Sequence, residues 1–164
     1  MKNLYVDFDG VICNTIEVTY KMLDELNISP KDYEKTVNFY KDLNWEAVLD
    51  KSTDINNAIE RIKNIIESGK FNVSILTHVT SVDEIAEKIK YIRKHFKSIP
   101  VIGVPKSVSK TEAISAKDSI LIDDFVPNLI DWRNAGGLGI RFDLDMDGKG
   151  FPVIDKLDEI IEVF

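Results

Sequence analysis

Disulfides are the first thing the sequence excludes. The 164-residue chain has a single cysteine, Cys13, so no internal cross-link can form, and the expected compartment is the reducing cytoplasm. Long apolar runs are also missing. Stretches such as Val11-Ile12-Cys13 last only a few residues, against the ~20 needed for a helix to cross a bilayer. The opening Met1-Lys2-Asn3-Leu4-Tyr5-Val6-Asp7 turns acidic too soon for a secretory signal, so neither a membrane nor export is expected. Basic charge is scarce: 21 Lys and Arg face 28 Asp and Glu, for a net charge of -7. A reader of nucleic-acid polymers normally carries a basic face that releases counterions, so such a partner is not expected. Internal repeats and low-complexity segments are absent as well. What remains is 44% hydrophobic and 30% charged, the balance of an ordinary globular domain. At this length a chain buries roughly 70% of its unfolded surface in one core, with room for a modest insertion.

Five compact runs rich in β-branched residues stand out, at 4–8, 72–77, 99–104, 119–122 and 138–142. They have the length and continuous apolar character of strands covered on both faces. Amphipathic helical patterns lie between them. Ile55, Ile59, Ile62 and Ile66 form one stripe, stopped by Ser68-Gly69; Val82, Ile85, Ile89, Ile92 and Phe96 form another, opened by the capping box Ser81-Val82-Asp83-Glu84. Ser109-Lys110-Thr111-Glu112 is a second capping box, Pro127 opens a further helix ended by Gly136-Gly137, and Leu157, Ile160 and Ile161 mark a short closing one. The alternation predicts an α/β fold: a Rossmann-like, mainly parallel, five-stranded sheet with helices on both faces. The forty or so residues after the first strand are too many for a simple crossover. They carry Ile16 to Leu26 at helical spacing, the helix start Ser29-Pro30-Lys31-Asp32, and then Tyr33, Val37, Tyr40 and Leu43. The expectation is a small helical insertion at 13–52, emerging from a core made of 1–12 and 53–164.

Sheets of this kind bind ligands at the carboxyl ends of their strands. There the sequence places Asp7-Phe8-Asp9-Gly10 after the first run, Thr77 after the second, Lys110 in the first turn of a capped helix beyond the third, and Asp123-Asp124 after the fourth. Clustered carboxylates repel one another and are tolerated where a hard divalent cation neutralises them. Magnesium suits a few carboxylate oxygens and leaves positions for water and phosphate, while a hydroxyl and an ammonium suit the remaining phosphoryl oxygens. Asp-x-Asp or Asp-Asp alone would only mark a turn or a cap. The conjunction of all four, each at a strand end, points to phosphate chemistry.

Asp7-Phe8-Asp9-Gly10-Val11, Ser74-Ile75-Leu76-Thr77, Lys110 and Leu121-Ile122-Asp123-Asp124 resemble the four motifs of the haloacid dehalogenase-like (HAD) hydrolase superfamily. The insertion falls where that superfamily carries its C1-type cap. Lys110-Thr111 ahead of Leu121-Ile122-Asp123-Asp124 is similar to the cytosolic 5′(3′)-deoxyribonucleotidase branch. The cap is shorter than in better-known members, and His78-Val79 stands where members often have Ser-Pro, departures that bear on substrate rather than chemistry.

The resemblance implies a magnesium-dependent phosphomonoesterase acting on a small phosphorylated substrate, a nucleotide first, with another small metabolite as the alternative. Asp7 would be the nucleophile, giving an aspartyl-phosphate. Asp9 would protonate the leaving alkoxide and then take a proton from the hydrolytic water. Magnesium would sit on Asp7, the Asp9 carbonyl and Asp124, with Asp123 orienting a metal-bound water or Lys110. Thr77 and Lys110 would hold the equatorial oxygens, with His78 beside them. Lys106 is a rival for the lysine role; Lys110 is favoured because a helix start pins its backbone.

Two other classes fit less well. A receiver-like phospho-acceptor domain needs its acceptor aspartate at a middle strand, where this chain has Thr77 and the loop after Val104. A non-catalytic binding domain would have no reason to keep all four elements. Asp143-Leu144-Asp145-Met146-Asp147-Gly148 imitates half of a calcium loop, but Pro152 and Ile154 break the second half, so an acidic turn is expected. Tyr20, Phe39, Tyr40 and Trp45 in the insertion are read as core in preference to base-stacking residues, His95 as a helix C-terminal residue, and Cys13 as a buried structural thiol.

Overall fold

The structure, a computed structural model, describes all of residues 1–164. Five strands arise where the apolar runs predict them: β1 (Lys2–Val6), β2 (Phe71–Val79), β3 (Val101–Pro105), β4 (Ile120–Asp123) and β5 (Leu138–Phe142). A sixth, β6 (Val153–Ile154), pairs with β5 through Arg141 and Phe142. Two residues are too few to show a period, so the sheet has six strands where the sequence suggests five. Every pairing is parallel and the order is β3-β2-β1-β4-β5-β6. The chain builds outward from β1 to β3, then crosses back to start again at β4. The crevice between the ends of β1 and β4 is therefore the topological switch point at which such sheets bind ligands.

Side chains alternate between the two faces of a strand, and the core divides accordingly. Leu4, Val6, Val73, Ile75, Ile120, Ile122, Ile140 and Phe142 meet Ile59, Ile62 and Ile65 of α4 (Ala58–Glu67) and Ile92 of α5 (Val82–Arg93). On the other face Tyr5, Leu76 and Leu121 meet Leu129 and Trp132 of α7 (Val126–Asn134), with the short helix α6 (Lys110–Ala113) on the same side. The same alternation aims residues beyond the core. Asp7 and Asp123, two on from Tyr5 and Leu121, face α6 and α7. Thr77, two on from Ile75, faces α5.

Several predicted boundaries move for local reasons. β2 runs two residues past Thr77 because His78 and Val79 still pair with Val104 and Pro105. The helix expected from Ile55 begins at Ala58, since Asn56 and Asn57 both take left-handed backbone angles. The capping box at Ser109 is complete, whereas at Ser81 only the serine half forms, because the Glu84 carboxylate is engaged elsewhere. The chain closes with a 3-10 turn at Leu157–Glu159 and α8 (Ile160–Val163).

Residues 13–52 hold three helices: α1 (Thr15–Glu25), α2 (Tyr33–Lys41) and α3 (Trp45–Lys51). Proline does not open α2. Ser29-Pro30-Lys31 form a turn, and the Asp32 carboxylate caps the helix by accepting from the Lys35 amide. α3, unforeseen in the sequence, starts at the Asn44 cap. The three helices share a small cluster of Val18, Trp45 and Val48 with Met22, Tyr40 and Leu43. No helix is long and apolar enough to cross a membrane.

Candidate active site

The loop after β1 is a tight turn. Phe8 O accepts from the amides of Ile12 and Cys13 at 2.9 and 3.1 Å, and the Gly10 amide donates to Cys13 O at 2.8 Å. Gly10 has φ +75°, and a Cβ there would collide with the Asp124 carboxylate. Glycine therefore lets the first acidic loop and the residue after β4 close on one another.

Asp7 stays in register with β4, donating its amide to Ile122 O at 2.9 Å. Lys110, buried in the first turn of α6, donates to Asp7 Oδ1 and to Asp123 Oδ2, both at 2.7 Å. Asp123 is fully buried and also accepts from the Phe125 amide at 2.8 Å and from Asn128 Nδ2 at 2.9 Å. Its oxygens are thus committed to holding Lys110 and the start of α7. Asp7 Oδ2 and the Asp124 carboxylate have no side-chain donor. Carboxylate oxygens of Asp7, Asp123 and Asp124 lie within 4.8 Å of one another, and Lys110 is the one cation in contact with them.

The electrostatics follow. Burial, reinforced by Asp123, raises the Asp7 carboxyl well above its ordinary value, with Lys110 opposing. Burial and then Asp123 push Asp124 up to about 7. Lys110 would be lowered by burial, but the pull of Asp7 and Asp123 outweighs it and keeps it raised and charged. One ammonium does not balance three carboxylates, and the open oxygens of Asp7 and Asp124 are hard donors. The set fits a small divalent cation.

An ammonium carries three protons. Lys110 spends two, which leaves one for a ligand. Lys110 is itself buried and does not line the cavity of about 500 Å³ that opens at its partner Asp7, which is lined also by Asp9, His78, Phe125 and Asn128, with exposed Lys106 and the serine-rich turn at 107–109 along its edge. The two candidate lysines therefore hold different places: Lys110 beneath the carboxylates, Lys106 at the mouth. His78 also lines the cavity, but its Nε2 donates to Val108 O at 2.9 Å. Burial lowers its pKa, so the ring is neutral near pH 7 and its one N–H is spent. Thr77 is fully buried, does not line the cavity, and bonds Asp9 at 3.4 Å and His78 O at 3.2 Å.

Two residues at this centre escaped the sequence reading. Glu84 and Lys88, with Ile92, are the buried residues of α5, whereas Val82 of the predicted stripe is 83% exposed. Lys88 donates to Asp9 Oδ2 at 2.6 Å and Glu84 Oε1 at 2.7 Å. A glutamate four residues before a lysine reads as an exposed ion pair. The available signal was the run 84, 88, 92, 96, which places both charges on the stripe of Ile92 and Phe96.

Of the insertion's aromatics, Trp45 is buried and Phe39 and Tyr40 pack edge to face, but Tyr20, expected in the core, is exposed because it lies on the outward side of α1. Asp143 forms an ion pair with Arg141 and an acidic turn follows, as expected. Burial first of all pushes the Cys13 thiol up to about 12.

No protein-family model matches the sequence, and no curated protein does. Solved structures do match in shape. A HAD-superfamily hydrolase of subfamily IA from Geobacter sulfurreducens superposes with a TM-score of 0.66 at 13% identity, covering 100% of both chains. A HAD phosphatase from Thermococcus onnurineus gives 0.62 at 15% identity, over 99% of this chain and 97% of that one. A D,D-heptose 1,7-bisphosphate phosphatase from B. bronchiseptica, complexed with magnesium and phosphate, gives 0.61 at 13%, over 99% and 97%. The likeness establishes the fold: this chain is built on the Rossmann-like α/β sheet of HAD-superfamily hydrolases.

Proposed function

We propose that the protein is a magnesium-dependent phosphomonoesterase working through an aspartyl-phosphate. The observation that carries the reading is Asp7, whose Oδ1 is tied to Lys110 while Oδ2 stays open at the switch point, and which both belongs to the carboxylate cluster and lines the cavity. Asp7, Asp124 and the Asp9 carbonyl would hold the metal, which supplies charge neutralisation as an anionic nucleophile meets an anionic ester.

In the first step Asp7 Oδ2 attacks phosphorus, the ester P–O bond breaks, and the leaving oxygen takes a proton from Asp9. In the second, water attacks the acyl phosphate, Asp9 accepts its proton, and inorganic phosphate leaves with the Asp7 carboxylate restored. Lys110 uses its remaining N–H on a phosphoryl oxygen, where charge collects in the transition state. Thr77 and His78 are less suited to that work as they stand, with their donors spent inside the protein. Asp123 acts through Lys110.

The substrate best supported is a small, polar phosphorylated metabolite. Asn128, Asp131, Lys106 and the turn at 107–109 surround the cavity and suit hydroxyls or a second anionic group. The phosphatase from B. bronchiseptica acts on a sugar bisphosphate, which is compatible. A deoxyribonucleotide is the second reading. It rests on Phe125, 58% exposed beside the cavity and free to stack on a base. Helices α1–α3 form the small cap, 13–52, over a core of 1–12 and 53–164.

The test is a hydrolysis screen with magnesium over sugar phosphates, deoxyribonucleotides, ribonucleotides and aryl phosphates, alongside Asp7→Asn. Phosphate release that requires metal and Asp7 is expected. Release that survives either loss would refute the reading.

A further inference from the structure

Asp9 does not hang free in the cleft. Thr15 Oγ1, at the start of α1, donates to its Oδ1 at 2.6 Å, and Lys88 Nζ, from α5, donates to its Oδ2 at 2.6 Å. The Lys88 side chain is completely buried, with Nζ 5.2 Å from the ring centre of Phe8 and 5.1 Å from that of Trp45. Besides Asp9 its ammonium meets Glu84 Oε1 at 2.7 Å, Thr77 Oγ1 at 3.0 Å and the His78 carbonyl at 3.3 Å. Four acceptors for three protons leave nothing to offer a ligand, which distinguishes Lys88 from Lys110. Glu84 is itself fastened, accepting from the Thr80 amide at 2.6 Å and the Thr80 hydroxyl at 2.8 Å.

Stability is a poor reason for this arrangement. Taking an ammonium and a carboxylate out of water is costly, and apolar residues of similar volume commonly serve a core as well or better. What the network delivers is direction. A proton donor must come within about 2.6–3.2 Å of its target, and an error of ~1 Å can cost on the order of a hundredfold in rate. Thr15 and Lys88 fix both oxygens of the one carboxylate that must face the leaving group.

We infer that Lys88, held by Glu84, is the positioning residue that aims Asp9 for proton transfer to the leaving oxygen, the ion-paired carboxylate taking that proton from the monoanionic phosphate ester as it binds. The inference rests on the phosphomonoesterase reading above. It also explains how the cap reaches the chemistry. Trp45 lies over the Lys88 ammonium, its amide donates to Asp83 Oδ2 at 3.2 Å, and Thr15 comes from the first turn of the same helical segment. The insertion thus grips Asp9 from one side while α5 grips it from the other.

The experiment compares kcat/KM for phenyl phosphate and p-nitrophenyl phosphate with magnesium. Nitrophenolate departs with little need of a proton, whereas phenolate needs one. Lys88→Met alone would leave Asp9 and Glu84 facing each other without a cation, so the variant is Lys88→Met with Glu84→Gln, which keeps net charge and shape. Its folding is checked by thermal melting. The expected loss on phenyl phosphate is about tenfold or more, and on the nitrophenyl ester within about threefold. Should the double variant not fold, Glu84→Gln alone, which slackens the lysine, carries the same comparison. Equal losses on both esters, or no loss on either, would overturn the inference and leave the phosphatase reading standing. A wild-type protein that releases phosphate from neither ester nor any compound of the screen above would overturn both; if only an alkyl phosphate of that screen is cleaved, an unchanged kcat/KM on it in the double variant overturns the inference.

Discussion

Asp124 is where this site can be probed without knowing the substrate. In the metal-free protein its carboxyl is pushed from the ordinary 3.8 up to about 7, by burial first and then by Asp123. At about 1.36 kcal/mol per pH unit, keeping it ionised costs on the order of 4 kcal/mol. Asp124 is only partly buried, so solvent screens part of that cost and about 1–3 kcal/mol is the better expectation. The sign follows from linkage. A folded pKa above the unfolded one means the native state binds the proton more tightly, so stability falls as pH rises from about 4 to about 7, and the whole penalty is present above that. Asp124→Asn removes the charge at nearly constant volume. At pH 8 with a chelator the variant should melt several degrees above the wild type, at roughly 2–4 °C per kcal/mol for a chain of this size. Near pH 4 the two should converge. Magnesium at about 100 times its dissociation constant should stabilise the wild type by about 2.7 kcal/mol, stabilise the variant much less, and support turnover only in the wild type. Melting curves at pH 4, 6 and 8, with magnesium or chelator, measure all of this. A variant less stable than the wild type at pH 8 without metal would refute the reasoning, as would equal magnesium shifts in both.

Two further outcomes are expected. Lys110→Met removes the cation shared by two buried carboxylates and should cost about 3–5 kcal/mol at pH 8, together with turnover; urea unfolding checks it, and a loss under about 1 kcal/mol contradicts it. Cys13 is buried with its thiol pushed up to about 12, so a thiol-disulfide reagent at pH 8 should label the native protein very slowly and the unfolded chain at once. Rapid labelling of the native protein would mean that the loop after β1 opens far more readily than its hydrogen bonds suggest.

The parts of the fold legible in the sequence were those with a local signature. The buried parallel strands announce themselves as short β-branched runs, and Ser109 and Glu112 as a capping box that forms in full. Because Asp7, Asp123 and Lys110 sit at strand and helix ends, their positions could be read as well. β6 could not, being only two residues long. α3 could not either, since its start depends on Asn44 capping a turn that the Tyr33–Leu43 spacing runs straight through. Lys88 was hidden for a different reason. Ile85 and Ile89 offered a plausible apolar stripe one position away, and nothing local says that a lysine will be buried against an aspartate seventy-nine residues earlier. Adjacency to Thr77 marks His78 as a candidate, and only the partner across the loop, Val108 O, shows that its N–H is already used.

The central claim is that Asp7 takes the phosphoryl group. Acid-quenching the protein with substrate and magnesium, reducing with borohydride and sequencing by mass spectrometry tests it directly, because reduction converts an aspartyl-phosphate to homoserine. Homoserine at position 7, dependent on substrate and absent without metal, is the predicted result. Turnover with position 7 unmodified and the phosphoryl group trapped on another residue would contradict it.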